Sequence, residues 1–304
     1  MTTRIEPNPA MIGGVGKAPL VVLPQPSALF STRAERLAFL AASGGNLAPY
    51  LAFLADLTRV QARLADEGPG PEPLPADHLK TCRESRMPPI DRSRLRDDAD
   101  LRATLTALCD QAVALDMPEP ARLALNAVRG ADAADLDWLI GNVLSGLIPA
   151  DAAAPHLFVA AAVQLHLARL AATLPGPDLV AIQTGTCPAC GGRPHASIVT
   201  TVAGVENVRY ACCATCATQW NEVRVKCLCC GSTKGISYRS VETGEAAIKA
   251  ELCSECDHWL KILYHPRNHS LEPMADDVAS LGLDMMMQGT GLTRGGSNPF
   301  TVGY

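Results

Sequence analysis

Eight cysteines fall into two groups of four that share one spacing. Each group reads C-x2-C, then 22 intervening residues, then C-x2-C, and every position of the first group recurs forty residues later in the second. Thiolates at this spacing converge from two loops on a single tetrahedral metal ion. The predicted ligands are Cys187, Cys190, Cys213 and Cys216 at the first site and Cys227, Cys230, Cys253 and Cys256 at the second.

The remaining four cysteines have no counterpart in the repeat. Cys212 and Cys229 each neighbour a predicted ligand, and we interpret both as small side chains that fill space. A spare thiol or an alternative ligand is the other interpretation of these two. Cys82 and Cys109 are isolated and lie in no catalytic signature.

The spacing does not identify the metal. Four thiolates suit tetrahedral zinc and also a single rubredoxin-like iron. One pair alone, Cys187-Pro188-Ala189-Cys190, has the look of a thioredoxin-type redox pair, but four pairs in a fixed register favour metal. The ions either replace a hydrophobic core in two small modules or take part in function, and the residues leave both hypotheses open.

No motif for catalysis is found. The chain has no dinucleotide-binding or phosphate-binding glycine loop, no zinc-protease helix and no nucleophile elbow in a convincing context. His195 and His258 follow ligand cysteines closely and are expected at the surface, whereas His156 and His166 are expected to form local hydrogen bonds on a core helix. We therefore expect a protein that is not an enzyme.

The first 175 residues are dominated by alanine and leucine, which favours helices. A capping box at Thr32-x-x-Glu35 predicts that the first helix begins at Thr32, and Asn46 is the predicted cap of the second. About six helices are expected in all, forming a bundle or a related packing. The last four are Asp97–Leu115, one opened by Pro120, Asp135–Leu147 and Pro155–Leu174.

Beyond Pro175-Gly176-Pro177 the apolar pattern changes to a period of two, which indicates strands. Each module has a predicted hairpin between its cysteine pairs, with a turn at Ala203-Gly204 in the first and at Thr243-Gly244 in the second. Trp220–Lys226 is predicted as a connecting strand. Ala275–Met287 is predicted as one helix, with Val278, Leu281, Met285 and Met286 on its apolar side.

These patterns predict an α+β protein. An all-helical amino-terminal domain is followed by two tandem modules of short antiparallel strands, similar to rubredoxin or a zinc ribbon. The predicted divisions are an extended arm at 1–30, a helical domain at 31–175, metal ribbons at 185–222 and 223–262, and a helix with a tail at 263–304.

Charge argues against nucleic acid as a partner. The formal net charge is −5, and the chain from residue 175 onward holds ten Lys or Arg against twelve Asp or Glu. Four thiolates around a divalent ion add −2 at each site, so the loaded segment would carry about −6, the wrong sign for a phosphate backbone. A zinc-ribbon nucleic-acid-binding protein therefore ranks below the other hypotheses.

From these residues we expect neither an export signal nor a membrane span. Its most apolar window, Ala152–Leu174, carries His156, Gln164, His166 and Arg169, which is too polar for a bilayer. We expect a cytoplasmic protein with no stable membrane insertion. In that reducing compartment, paired cysteines hold metal more often than they form disulfides.

Four segments carry a resemblance to a known family. The stretch Trp220–Cys227, WNEVRVKC, together with the doubled cysteine groups, resembles the formate dehydrogenase accessory protein family, FdhE. Three further segments are similar to that family in the same order. They are KAELCSEC at Lys249–Cys256 followed by Leu260-Lys261, ADDVASL at Ala275–Leu281, and RGGSN at Arg294–Asn298.

The resemblance implies a cytoplasmic maturation factor that engages the catalytic subunit of a respiratory formate dehydrogenase and does not itself oxidise formate. It also implies iron at the eight cysteines, with zinc as the alternative. An accessory, chaperone-like protein is our leading hypothesis. The runner-up is a mononuclear-iron redox protein that passes electrons or sulfur to its client, and a homodimer is a further assembly to consider.

Overall fold

In the computed structural model of the chain, which describes residues 17–67, 71–241 and 246–303, the helices come first. Seven α-helices lie in the described residues before position 175, where the sequence predicts about six. They are α1 Pro26–Ala42, α2 Ala48–Asp66, α3 Ala76–Glu84, α4 Ala99–Ala112, α5 Glu119–Gly130, α6 Ala133–Ser145 and α7 Ala153–Ala172.

The α7 helix is the centre of the helical part, because α2, α4, α5 and α6 all pack against it. Ala160, Ala161 and Ala162 are fully buried, and such small side chains let neighbouring helices approach closely. Phe158 meets Phe53 of α2 edge to face, with the ring centroids 6.1 Å apart. Among the described helices, none combines the length and the apolar character needed to cross a bilayer.

Two predicted helix starts are wrong. The α1 helix begins at Pro26 and not at Thr32, because proline at the first position has the backbone angle that a helix needs there. The N-cap of α2 is Leu47 and not Asn46. Side-chain caps do occur further on, where Asp98 accepts a hydrogen bond of 2.8 Å from the Leu101 amide at the start of α4.

The helix α3 was not predicted, because its residues show no apolar periodicity. Of its nine residues only Cys82 is buried, so the helix has no stripe of core side chains for a periodicity analysis to detect. It ends at a short connection in which Ile90 donates a backbone hydrogen bond of 3.0 Å to the carbonyl of Ala189. The segment after this polar helix therefore contacts the loop that carries Cys187 and Cys190.

The strands form one sheet of eight, in the order β1-β4-β3-β2-β7-β6-β5, with β8 added beside β7. The central pair, β2 and β7, is parallel, and it joins the first ribbon module to the second. The strands are β1 Val21–Val22, β2 Pro194–Val202, β3 Val205–Cys213, β4 Gln219–Glu222, β5 Ile236–Arg239, β6 Ile248–Cys253, β7 His258–Tyr264 and β8 Thr293–Arg294.

Both predicted hairpins are present as strand pairs. In the first, Val202 pairs with Val205 across the predicted turn at Ala203-Gly204. In the second, β5 pairs with β6 from Ile236 opposite Cys253 onward. The predicted turn at Thr243-Gly244 lies outside the described residues.

The strand β7, which unites the two modules, has no counterpart among the predicted strands. Its inner residues are buried on both faces, so they do not alternate between apolar and polar. Lys261 interrupts the apolar run and is itself fully buried. The predicted connecting strand Trp220–Lys226, the connector, is only partly a strand. The strand ends at Glu222, and Val223 and Val225 beyond it are 58% and 45% exposed.

The predicted carboxy-terminal helix is two helices, α8 Pro273–Ala279 and α9 Leu281–Met287, separated at Ser280. The break turns the apolar face, so that Leu283 and Met287 are buried while Met285 is 68% exposed. The prediction is correct for Val278 and Leu281 and wrong for Met285 and Met286.

The central position of α7 can be tested with Leu165, which is fully buried. We expect Leu165→Ala to lower the free energy of unfolding by about 2–5 kcal/mol, because it leaves a cavity in a packed core. Urea denaturation followed by circular dichroism measures the change. The matched control is Leu147→Ala, at a side chain 75% exposed, which should cost less than about 0.5 kcal/mol. Equal costs for the two variants would contradict a core centred on α7.

Candidate metal centres

The first four predicted cysteines meet where β2 begins and β3 ends. Cys187 and Cys190 lie in the loop before β2, Cys213 is the last residue of β3, and Cys216 follows in the next loop. The sulfur of Cys187 lies 3.6 Å from that of Cys216, and the sulfur of Cys190 lies 3.5 Å from that of Cys213. All four residues are buried. This is the first centre.

The second group forms the same arrangement where β6 ends. The sulfurs of Cys227 and Cys256 are 3.7 Å apart, and so are those of Cys230 and Cys253. Burial differs from the first centre, because Cys230 is exposed and Cys256 is only half-buried. This is the second centre.

Both sets of sulfur atoms fit a tetrahedral metal ion. With metal–sulfur bonds of about 2.3 Å, a regular tetrahedron separates its sulfurs by about 3.8 Å. A disulfide would instead bring two sulfurs to about 2.05 Å, and all twelve cysteines are free. Within each group the four sulfurs lie within 4.8 Å of one another, so each could hold one ion.

The same backbone turn shapes the first cysteine pair of each centre. Gly191 and Gly231 adopt φ values of +71° and +82°, which residues with a Cβ rarely adopt. Their amides donate to the carbonyls of Cys187 and Cys227 at 2.9 and 3.0 Å. The glycine that follows each C-x2-C pair is therefore part of the tight loop that presents two sulfurs to one point.

Side chains from outside the cluster hold the first centre in place. Arg92, from the helical part, donates from Nη1 to Thr215 Oγ1 at 2.7 Å and lies 3.7 Å from Cys190 Sγ. Its Nη2 donates to the carbonyl of Leu144. Thr218 Oγ1 lies 3.1 Å from Cys216 Sγ. Such polar partners orient ligand sulfurs and offset their negative charge.

The thiols of the first centre differ in acidity. Hydrogen bonds with the other three cysteines, and then the Arg92 guanidinium, hold the pKa of Cys190 well below its usual range. Burial instead raises the pKa of Cys187 far above it. A cation bound among the four sulfurs would favour the ionised form of each.

The four cysteines outside the repeat lie in neither cluster of the described residues. Burial raises the pKa of Cys109 and of Cys229 to about 12. It also raises the pKa of Cys212 and Cys82. Neutral, partly or fully buried thiols agree with the interpretation that Cys212 and Cys229 fill space.

One prediction for the histidines is wrong. His195 is not at the surface but 2% exposed, and its Nδ1 lies 3.2 Å from Oδ2 of the fully buried Asp277. His156 is buried as predicted, with both ring nitrogens in hydrogen bonds. For His166, Nε2 has no hydrogen-bond partner among the described residues. His258 is half-buried beside Cys256, whose carbonyl lies 2.6 Å from Nδ1.

A buried polar cluster that was not predicted from the sequence is centred on Asp277. Lys261 Nζ lies 2.9 Å from Oδ1, Arg294 Nη2 lies 2.6 Å from Oδ1, and Asn298 donates to Oδ2 at 3.1 Å. Burial raises the pKa of Asp277, but Arg294, Lys261 and His195 outweigh it and hold the pKa well below its usual range. The available signal was a lysine inside the apolar run of β7.

The protein consists of a helical part packed on a sheet that carries two four-cysteine clusters. These features define its class: a double ribbon with two sites that could each hold a metal ion.

Three family models match the chain in succession. The model "FdhE, N-terminal" matches residues 18–184, "FdhE, central domain" matches 186–224, and "FdhE, C-terminal domain" matches 225–301. The chain belongs to the FdhE family.

Individual relatives are similar over nearly the whole chain. A Rhizobium meliloti (strain 1021) protein named "Protein FdhE homolog" is 53% identical over 302 residues, which cover 99% of this chain and 98% of that protein. "Protein FdhE" of Escherichia coli (strain K12 / DH10B) is 32% identical over 284 residues, 93% of this chain and 91% of that protein.

The fold also matches a solved structure. The crystal structure of the FdhE protein from Pseudomonas aeruginosa superposes with a TM-score of 0.82 at 31% sequence identity, covering 93% of this chain and 98% of that one. The helical part and the ribbon part together therefore follow a known arrangement.

The cluster around Asp277 gives a testable prediction. We expect Asp277→Asn to cost about 3–5 kcal/mol of unfolding free energy, because it removes the fully buried carboxylate that pairs with Lys261 and Arg294 and leaves the two cations to share that of Asp284. The depressed pKa means that the contribution of Asp277 is complete above about pH 4 and is lost as the pH falls further. Urea denaturation at pH 7 measures the change.

The control for this variant is Asp178→Asn, which removes an exposed carboxylate paired with Arg83. It should cost no more than about 1 kcal/mol. A loss of similar size in both variants would show that Asp277 is not a buried anchor.

Proposed function

We propose that the chain is a cytoplasmic accessory protein that binds the catalytic subunit of a respiratory formate dehydrogenase and is needed to form the active enzyme. Membership of the FdhE family supports the connection to formate dehydrogenase. The observation that carries the proposal is a rigid sheet with two preformed four-cysteine clusters, attached to a helical body. A binding protein needs a fixed surface of defined shape and charge.

We propose that Cys187, Cys190, Cys213 and Cys216 hold one ion and that Cys227, Cys230, Cys253 and Cys256 hold a second. The sulfur separations of 3.5–3.7 Å support this assignment. Iron is the expected metal and zinc the alternative, since both accept four thiolates. Iron would supply one-electron chemistry when bound, whereas zinc would supply only structure.

The surroundings of the first centre favour binding over catalysis. A cavity of about 530 Å³ lies between the helical part, the first centre and the carboxy-terminal segment. Its described lining contains arginines, glycines, hydroxyl and amide side chains and apolar side chains, but neither histidine nor carboxylate. Arg294, which borders it, is paired with Asp277 and Asp284. A general acid or base is therefore missing from this lining.

The connector between the two centres is the surface that we propose for the client. Val223 and Val225 are exposed directly before Cys227, although most valine side chains lie in cores. The buried Arg209 holds the connector backbone by donating from Nη1 to the carbonyl of Lys226 at 2.9 Å. Two apolar side chains are thus presented to solvent beside a backbone held by a buried arginine, and apolar side chains are what the buried core of an interface contains.

A redox protein is the second candidate. The observation that favours it is the exposure of Cys230 at the second centre, because an electron or a sulfur acceptor needs access to a ligand sulfur. A nucleic-acid-binding role is less well supported, since the net charge of −5 opposes contact with phosphates. A homodimer stays a prediction.

The metal content separates the first two candidates. We expect about two ions per chain after anaerobic purification, measured by elemental analysis together with absorption spectroscopy. A reversible ferric-thiolate spectrum would favour the redox role, and spectroscopically silent zinc would leave a structural or docking role. Fewer than one ion per chain in a folded sample would contradict the proposed centres.

Client binding can be tested with the double variant Val223→Asp and Val225→Asp. We expect the recovery of the formate dehydrogenase catalytic subunit in a pull-down from anaerobic lysate to fall by about tenfold or more, equivalent to about 1.4 kcal/mol. Formate dehydrogenase activity of the cells should fall with it.

The matched control is Leu123→Asp, at a side chain 60% exposed on α5 in the helical part. Recovery of the catalytic subunit should be unchanged by this variant. If the connector variant stays folded, keeps its metal and still recovers the subunit in full, the proposed surface is wrong.

A further inference from the structure

The two centres have the same sulfur geometry but different access to solvent. At the first centre no cysteine is more than 1% exposed. At the second centre Cys227 and Cys253 are buried, Cys256 is half-buried and Cys230 is exposed. One copy of the repeat is therefore closed, and the other is open at one ligand.

Side chains of its own loop, together with one from the helical part, close the first centre. Thr215 and Thr218 are 8% and 0% exposed and contact its sulfurs, and Arg92 covers Cys190 from the helical side. A Cβ at Gly192 would lie 2.6 Å from Arg92 Nη1, so a side chain there would have to displace the guanidinium group. An external ligand would have to displace this packed layer before it reached a sulfur.

The second centre is covered less completely than the first. On one side, Gly295 of the carboxy-terminal segment packs against the sulfur of Cys229, which neighbours the ligand Cys230. On the outer side, the loop after Cys230 and the loop between Cys253 and Cys256 carry exposed side chains, among them Lys234, Ser254 and Glu255. Cys230 lies on this outer side, so its sulfur can be approached from solvent.

We infer that the second centre accepts an external thiolate as a ligand in place of Cys230, and that the first centre does not. Bound metal thiolates exchange by associative attack when the incoming sulfur can reach the ion. The incoming thiol loses its proton and binds the ion, while the Cys230 sulfur leaves the ion and takes up one proton. Four sulfurs surround the ion before and after, so no oxidant or reductant is needed.

Two features suit the second centre to this exchange. Two of its ligands are buried and held by structure, since Cys253 ends β6 and Cys227 accepts a hydrogen bond of 3.3 Å from the Cys229 amide. Cys230 is the exposed ligand, so its side of the centre is the one that an incoming thiol can reach. The ligand class is a thiolate, either of a small molecule or of a cysteine in a partner protein.

The first test compares the two centres in the zinc-loaded full chain. The protein is treated with EDTA and N-ethylmaleimide, and the alkylated cysteines are mapped by mass spectrometry over time. We expect the second-centre cysteines to be labelled at least about tenfold faster than those of the first centre. Equal rates, or faster labelling of Cys187 and Cys190, would overturn the inference.

The second test restores a missing ligand from outside. Cys230→Ser should hold about one zinc ion per chain in the absence of added thiol and about two with millimolar 2-mercaptoethanol, as read by native mass spectrometry. The matched variant Cys190→Ser should gain no ion from the added thiol, because its centre is closed. If 2-mercaptoethanol does not restore the ion to Cys230→Ser, the exchange does not occur.

Two peptides distinguish the sources of the thiol. An unstructured peptide with one cysteine and the same peptide with serine are added to Cys230→Ser. Recovery of the second ion with the cysteine peptide supports exchange with a protein partner, and recovery only with 2-mercaptoethanol limits it to small thiols. The measurements use neither formate dehydrogenase nor its activity, so they are independent of the proposed client.

Discussion

Four buried sulfur atoms about 3.6 Å apart can all be ionised only if a cation lies among them, because like charges at that distance repel strongly in a medium of low polarity. This constraint applies where the strands begin and end. Cys213 ends β3 and Cys253 ends β6, and the loops that carry the other ligands lead into or out of β2, β5 and β7. The register of the sheet and the geometry of the two centres are therefore linked.

The helical part and the carboxy-terminal segment hold this sheet from outside. Arg33 and Arg36 of α1 pair with Glu272 and Asp276 at 3.0 and 2.6 Å. Asp277, on the same short helix, forms ion pairs with Lys261 of β7 and with Arg294 of the carboxy-terminal tail. Since each of these pairs is buried, removing one partner leaves an unpaired charge in the interior. The polar contacts thus fix how the parts of the chain fit together, while apolar packing in α7 supplies the core.

Much of this arrangement could be predicted from the sequence, and the failures have physical causes. The eight cysteines and the hairpins were predictable because ligand spacing and period-two alternation are local signals. The strand β7 was not, because a strand buried on both faces has no alternation. His195 was misplaced since its partner, Asp277, is distant in sequence. Helix starts failed where proline geometry replaced a side-chain cap. Exposure of Cys230 depends on tertiary packing, which no spacing encodes.

The order of strands gives the repeat a direction. The two modules lie side by side in the sheet in the same orientation, as β4-β3-β2 and then β7-β6-β5. In chain order, β2 is the first strand of its module and β7 the third of its own, and these two strands are neighbours. Repeated side by side, this head-to-tail contact has no natural end and would generate fibres. At one border β1 covers β4, pairing Val21 with Trp220. At the other, β5 is only four residues long and ends in the exposed Arg239, which blunts the edge within the described chain. The amino-terminal strand and this short charged border thus lie at the two edges of the sheet where a further strand would otherwise pair.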